Sequence, residues 1–185
     1  LQLLSSKHAE NTNEPILRKP ITNGLASGKS IREAQLKAVL ELIERDAFLC
    51  TYLANLIPDK VDLNAAIKEN KRLDNLLNKF SRYKIDVNFL LLPNDYGVYV
   101  LLCVLVDKTG KGPYVSIGAR ADFSAEQAML DSLSEALSVR YANRFWLEKG
   151  EKVDKLDRRG RLLFWSNQQN NFGGYDTAWL GGRKV

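Results

Sequence analysis

Three apolar, strand-like runs follow one another in the middle of the chain, at residues 85–92, 98–106 and 114–118, each rich in Val, Leu, Ile and Tyr. Pro93-Asn94-Asp95-Tyr96-Gly97 separates the first two, and a stretch from Asp107 to Pro113 that holds Gly110 and Gly112 separates the second from the third. Runs of strand length joined by short Gly/Pro/Asn turns predict two adjacent hairpins, hence an antiparallel meander.

Helical patterns flank this block. Ser30-Ile31-Arg32-Glu33 has the Ser-x-x-Glu spacing of a capping box, in which the hydroxyl and the carboxylate each satisfy a free backbone N–H, and an unbroken helix-forming run continues to about Ala54. That helix is apolar on most sides, through Ala34, Leu36, Val39, Leu40, Leu42, Ile43 and Ala47, and is expected to be largely buried. A second, amphipathic helix is predicted over residues 63–83, with Ile67, Leu73, Leu76, Leu77 and Phe80 near helical spacing. A third starts at Ser124, again with a capping box (Ser124-Ala125-Glu126-Gln127), and runs to about Lys149. Strands grouped between long helices predict an α+β fold, an antiparallel or mixed sheet packed against long helices.

The 185 residues make one domain or part of a larger one. Residues 1–20 are a polar lead-in punctuated by Pro15 and Pro20, residues 21–150 carry the motifs, and residues 151–185 form a basic, Gly/Asn-rich tail with a short strand candidate at 162–165. A start at Leu1 suggests a piece excised from a longer protein. No apolar stretch approaches the ~20 residues of a membrane span and no export signal is visible, so a cytoplasmic protein is expected.

Several chemistries have little to work with. Cys50 and Cys103 sit inside apolar runs, no CxxC occurs, and His8 is the single histidine. Zinc sites, disulfide frameworks and Ser-His-Asp or Cys-His catalysis are disfavoured, and both cysteines are expected to be reduced core thiols. Net charge is +5, and residues 149–161 alone hold six bases against three acids. Such a segment suits phosphate or RNA, but its mixed signs fit a solvated face better, so nucleic acid is disfavoured as a partner.

The chemistry rests on a repeat. An offset of 94 residues aligns Gly24 with Gly118, Ser30 with Ser124, Glu33 with Gln127, Ala34 with Ala128, Leu36 with Leu130 and Glu41 with Glu135, as two versions of one strand-turn-helix unit. Capped helices resemble one another at their starts, but the interior glutamates do not follow from capping. At about 100° per residue, Glu33, Lys37, Glu41, Glu44 and Arg45 share one stripe of the first helix. Carboxylates on an apolar helix need a partner. One reading is an intrahelical Glu41–Arg45 pair plus solvent. The other is a cation site, in which Glu41 and Glu44 hold Mg²⁺, Arg45 holds a phosphate, and Glu135 joins from the repeat helix with Asp131 one turn earlier.

Thr22-Asn23-Gly24-Leu25-Ala26-Ser27-Gly28, then Glu33-Ala34, then Glu41-Leu42-Ile43-Glu44-Arg45-Asp46-Ala47-Phe48 closely resemble the YcaO domain family, with its NGLAxG turn, EA pair and ELIERDA helix. Gly118 to Phe123, Glu135-Ala136 through Arg140, and the tail from Gly160-Arg161 past Trp165 to Leu180-Gly181-Gly182 are similar to further family motifs. The resemblance spans residues 20–183 and suggests the middle portion of such a domain.

It implies an enzyme using ATP and Mg²⁺ to O-phosphorylate peptide backbone amides, giving azoline heterocycles, or thioamides or amidines, in a ribosomally made precursor peptide. It also implies a partner protein that delivers the peptide. Glu33, Glu41, Glu44 and Glu135 match the acidic nucleotide and Mg²⁺ positions and Arg45 the phosphate-contacting arginine, while Glu41, Glu44 and Glu135 are the metal candidates. Lys29 stands where many relatives have Asn and would still reach a phosphate; Ser138 stands where Gln is frequent. No catalytic residue is assigned. Alternatives from other classes are a nucleotide- or RNA-associated interaction module and an inactive fragment. A partial domain is expected to expose an apolar face and to self-associate through it.

Overall fold

The computed structural model describes residues 22–150 and 183–184. The polar lead-in with His8, the tail motifs and the strand candidate at 162–165 lie outside the described residues. The sheet consists of β1 (Asp59–Lys60), β2 (Ile85–Leu92), β3 (Tyr99–Asp107), β4 (Val115–Asp122) and β5 (Arg183–Lys184), in the order β4-β3-β2-β1-β5. All pairings are antiparallel except β1 with β5. The fold is α+β, as expected.

The meander forms because its turns are chemically specified. Asn94 Nδ2 donates to the Leu92 and Val98 carbonyls at 3.4 and 3.1 Å, its Oδ1 accepts the Tyr96 N–H, and Gly97 takes φ +68°. The register then runs from Leu92↔Val100 to Ile85↔Asp107. Alternation divides β3 between two cores. Val100, Leu102, Val104 and Val106 join one with Ala47, whereas Leu101, Cys103 and Leu105 join the other with Leu73, Phe80, Met129 and Leu133. Helices therefore cover both faces, which is why β3 reads as a continuous apolar run.

β4 extends past the expected 118 to Asp122 because pairing with β3 carries on to Tyr99↔Asp122, through residues of low strand propensity such as Gly118 and Ala119. Gly118 is required by the helix that crosses it. A Cβ there would stand 2.3 Å from the Ala136 nitrogen and 2.4 Å from the Ser132 carbonyl. Gly118→Ala is expected to lower unfolding free energy by roughly 2–4 kcal/mol in urea titration, and a loss under ~0.5 kcal/mol would contradict this packing.

The helices are α1 (Ile31–Leu53), α2 (Leu63–Glu69), α3 (Lys71–Arg82) and α4 (Ala125–Glu148). The single helix expected over 63–83 is broken at Asn70. Its side-chain oxygen caps Leu73 N–H at 3.0 Å, and its Nδ2 donates to Glu126 Oε1 at 2.7 Å, so a residue that competes with helical backbone bonds starts a new helix. α1 begins at the expected cap, with Glu33 N–H on Ser30 Oγ at 3.2 Å. The Glu33 carboxylate, however, takes the N–H of Lys29 at 2.7 Å instead of that of Ser30. The second box is half formed: Gln127 N–H reaches Ser124 Oγ, but the Gln127 amide turns to Asp131.

α1 is less buried than its composition predicts. Glu44, Ala47 and Thr51 are buried, but Leu36, Val39, Leu42, Leu49 and Leu53 are exposed, because a helix apolar all round can turn only one stripe to the sheet. Cys50 lies on the open side, its Sγ 3.8 Å from Asp46 Oδ1; only Cys103 is a core thiol. Among the described residues no helix is long and apolar enough to cross a membrane.

Candidate functional site

α1 packs in one core and α4 in the other, and both lie against β4, the last strand of the sheet among the described residues. Each helix sends a glutamate to a backbone N–H of the segment before it. Glu41 Oε2 accepts from Gly24 at 3.1 Å, and Glu135 Oε2 from Ala119 at 3.1 Å. The repeat read at an offset of 94 therefore recurs as a physical device, with the second donor one residue later. Gly24 supplies φ +78° at its turn.

Glu44 lies within electrostatic reach of both glutamates. It is 4 % exposed, and no hydrogen bond reaches its carboxylate among the described residues. Its charge partner within 4 Å is Arg45, with Nη2 3.7 Å from Oε1. Burial pushes the Glu44 carboxyl up to about 7, the nearby Glu135 charge pushes the same way, Arg45 and Arg120 oppose it, and Glu41 adds a smaller upward push. These influences place Glu135 within electrostatic reach of Glu44 although they lie on different helices. The intrahelical pairing also exists, with Arg45 Nε 3.9 Å from Glu41 Oε1, so Arg45 spans both acids.

The other candidates lie apart. Glu33 is engaged by Lys37 Nζ at 2.8 Å and by Lys29 N–H, which hold its carboxyl below the ordinary range, and it is not among the charges acting on Glu44. Lys29 sits in the loop leading into α1. Asp131 faces Arg120 at 3.6 Å and Gln127 at 2.9 Å, and Ser138 Oγ donates to its own helix at Ser134 O. Arg120, on β4, acts on Glu44 although the sequence assigns it no role of its own; it lies within the Gly118–Phe123 stretch that is similar to a family motif.

Among the described residues no three His, Cys, Asp or Glu side chains form a metal-holding group by themselves. A recess of about 470 Å³ beside the β2–β3 turn, lined by Ile57, Pro93, Asn94 and Tyr99, involves none of the cluster residues.

The family model for YcaO cyclodehydratase, described as ATP- and Mg²⁺-binding, matches residues 3–177. The chain belongs to the YcaO family. A heterocyclase solved in complex with substrate and cofactor superposes on this YcaO chain with a TM-score of 0.73 at 22 % identity, over 92 % of this chain and 22 % of that one. YcaO from Methanopyrus kandleri bound with AMPPCP and Mg²⁺ gives a TM-score of 0.63 at 21 % identity, over 92 % and 42 %. The E. coli microcin synthetase McbBCD complex with pro-MccB17 bound gives 0.69 at 16 % identity, over 89 % and 41 %. These likenesses show the fold. An uncharacterized protein of Methanothermobacter thermautotrophicus is 32 % identical over 120 residues, 64 % of this chain and 31 % of that protein, so the chain spans about a third of that curated relative.

The residues present fit the family's ATP and Mg²⁺. Mg²⁺ commonly takes one or two protein carboxylates and completes its octahedron with phosphate oxygens and water, so a ready-made cage of three is not required. A buried Glu44 with no hydrogen bond among the described residues, within electrostatic reach of two further carboxylates, is a donor set that a divalent cation would stabilise.

Proposed function

We propose that this chain forms part of an ATP-dependent enzyme that O-phosphorylates backbone amides of a precursor peptide, yielding azoline heterocycles or, by the same activation, thioamides or amidines. Bound Mg·ATP supplies the phosphoryl group that turns a poorly leaving amide oxygen into a good one. The chain's own residues position and neutralise charge. Glu44 and Glu135, with Glu41 through the oxygen that faces Arg45, present negative charge to the cation. Arg45, bridging Glu41 and Glu44, and Lys29, in the loop before α1, would hold phosphate. A peptide substrate and a protein that delivers it are part of this reading, which the substrate-bound heterocyclase and the pro-MccB17 complex support as relatives.

The observation that carries the proposal is Glu44, a carboxylate 4 % exposed that has no hydrogen bond among the described residues and lies near the like charges of Glu135 and Glu41, with Arg45 3.7 Å away. Leaving such a group uncompensated is costly, and a ligand cation removes the cost. Calorimetric titration with Mg·ATP is expected to show Glu44→Gln and Glu41→Gln binding at least ~10-fold more weakly than the wild type, with the fold kept by circular dichroism. Wild-type affinity in both variants would refute the assignment.

A further inference from the structure

Side chains two residues apart on a strand share a face, so Arg120 leaves β4 on the same side as Gly118, the side that α4 crosses. There its Nε stands 3.6 Å from Asp131 Oδ2, while Asp131 Oδ1 accepts from the Gln127 amide at 2.9 Å. Glu44 belongs to α1, which packs in the opposite core, yet the Arg120 charge is among those that act on it. One guanidinium thus serves both helices from the strand that both lie against.

These links do not exhaust it. Among the described residues no second carboxylate stands within 4 Å of the Arg120 guanidinium, and no hydrogen bond reaches its two Nη groups. The Arg120 and Asp131 side chains are 44 % and 36 % exposed, and an exposed pair of this kind adds little to stability. A planar fork with two N–H edges to spare is the geometry that grips a pair of phosphate oxygens. Its neighbours select the ligand further. The carboxylates of Glu41, Glu44 and Glu135 repel a bare anion, whereas a phosphate that arrives with a divalent cation gives the acids the cation and the guanidinium the oxygens.

We infer that Arg120 is a phosphate-holding residue of this site, taking oxygens of the nucleotide's phosphate chain from β4 while Arg45 takes them from α1, with Asp131 keeping its Nε in place. The inference rests on the Mg·ATP reading and extends it to the strand. Arg120 repels a bare cation and attracts phosphate, so it makes the site favour the cation–phosphate complex over the free ion.

Calorimetric titration of the full chain with MgCl2 alone and with Mg·ATP separates these roles. In Arg120→Ala, Mg·ATP is expected to bind about tenfold more weakly, the scale of a charge-assisted hydrogen bond, while Mg²⁺ alone binds no more weakly than to the wild type. Arg120→Lys keeps the charge without the fork and is expected to recover part of the loss, ending about threefold below the wild type. Mg·ATP affinity in Arg120→Ala equal to the wild type or above it would overturn the proposal, since Arg120 would then be only a counter-charge to Glu44. Equal weakening of both probes would overturn it as well, because the variant would have spoiled the cation site and not a phosphate contact. If Glu44→Gln binds Mg·ATP like the wild type, the cation reading falls by itself, and the loss in Arg120→Ala still decides whether phosphate is held from β4.

Discussion

Arg140→Ala is expected to lower unfolding free energy by roughly 3–5 kcal/mol at neutral pH, the scale of stranding a buried charge. Arg140 Nη1 donates to the Pro113 carbonyl at 2.9 Å, and Nη2 bonds the Asp107 carboxylate, which is only 2 % exposed. One guanidinium therefore ties α4 to both ends of the connection between β3 and β4. Burial alone would raise the Asp107 carboxyl; hydrogen bonds from Thr109, whose N–H lies 2.6 Å from Oδ1, and from Arg140 outweigh it and hold it below the ordinary range. An acid held low in the folded state contributes stability above its unfolded pKa, near 4, and loses it as pH falls. The penalty of the Ala variant should accordingly shrink below about pH 4. Arg140→Lys, which keeps charge but not the two-pronged donor, should recover only part of the loss. Urea titrations at pH 7 and pH 3.5 check both statements; a loss below ~1 kcal/mol at neutral pH would show the pair to be dispensable.

Glu44 works in the opposite direction. Its folded carboxyl titrates near 7 against an ordinary 4.5, so between those values the folded state holds a proton that the unfolded state releases. The contribution is complete below about pH 4.5 and is lost as pH rises through about 7, a swing on the order of 3 kcal/mol at most. Glu44→Gln should flatten this part of the stability curve and be roughly 2–3 kcal/mol more stable than the wild type at pH 8. Thermal unfolding from pH 5 to pH 8 measures it; parallel curves for the two proteins would mean that Glu44 is already compensated without ligand.

Much of the fold can be read from local signals. The β3 run, the Pro93–Gly97 turn and the caps at Ser30 and Ser124 each carry their cause within a few residues. The break at Asn70 does not, since what stabilises it includes Glu126, 56 residues away. Nor does the exposure of Leu42 or Cys50, because an all-apolar helix gives no clue to which stripe finds the sheet. For the site, the interior glutamates and their repeat were visible, and so was the stripe shared by Glu41, Glu44 and Arg45. Hidden were the role of Arg120 toward Glu44 and the diversion of Glu33 to Lys29, which depend on how α1 and the β4 edge meet.

The same charges guard the molecule against its own kind. Among the described residues no strand lies beyond the eight-residue β4, and a strand with unpaired backbone donors invites a foreign strand to pair with it, the first step toward aggregation. Glu135 occupies the Ala119 N–H, and Arg120 stands beside it, so an incoming strand would lose a donor and meet a charged group. Neutralising Glu135 thus removes a gatekeeper as well as a candidate ligand.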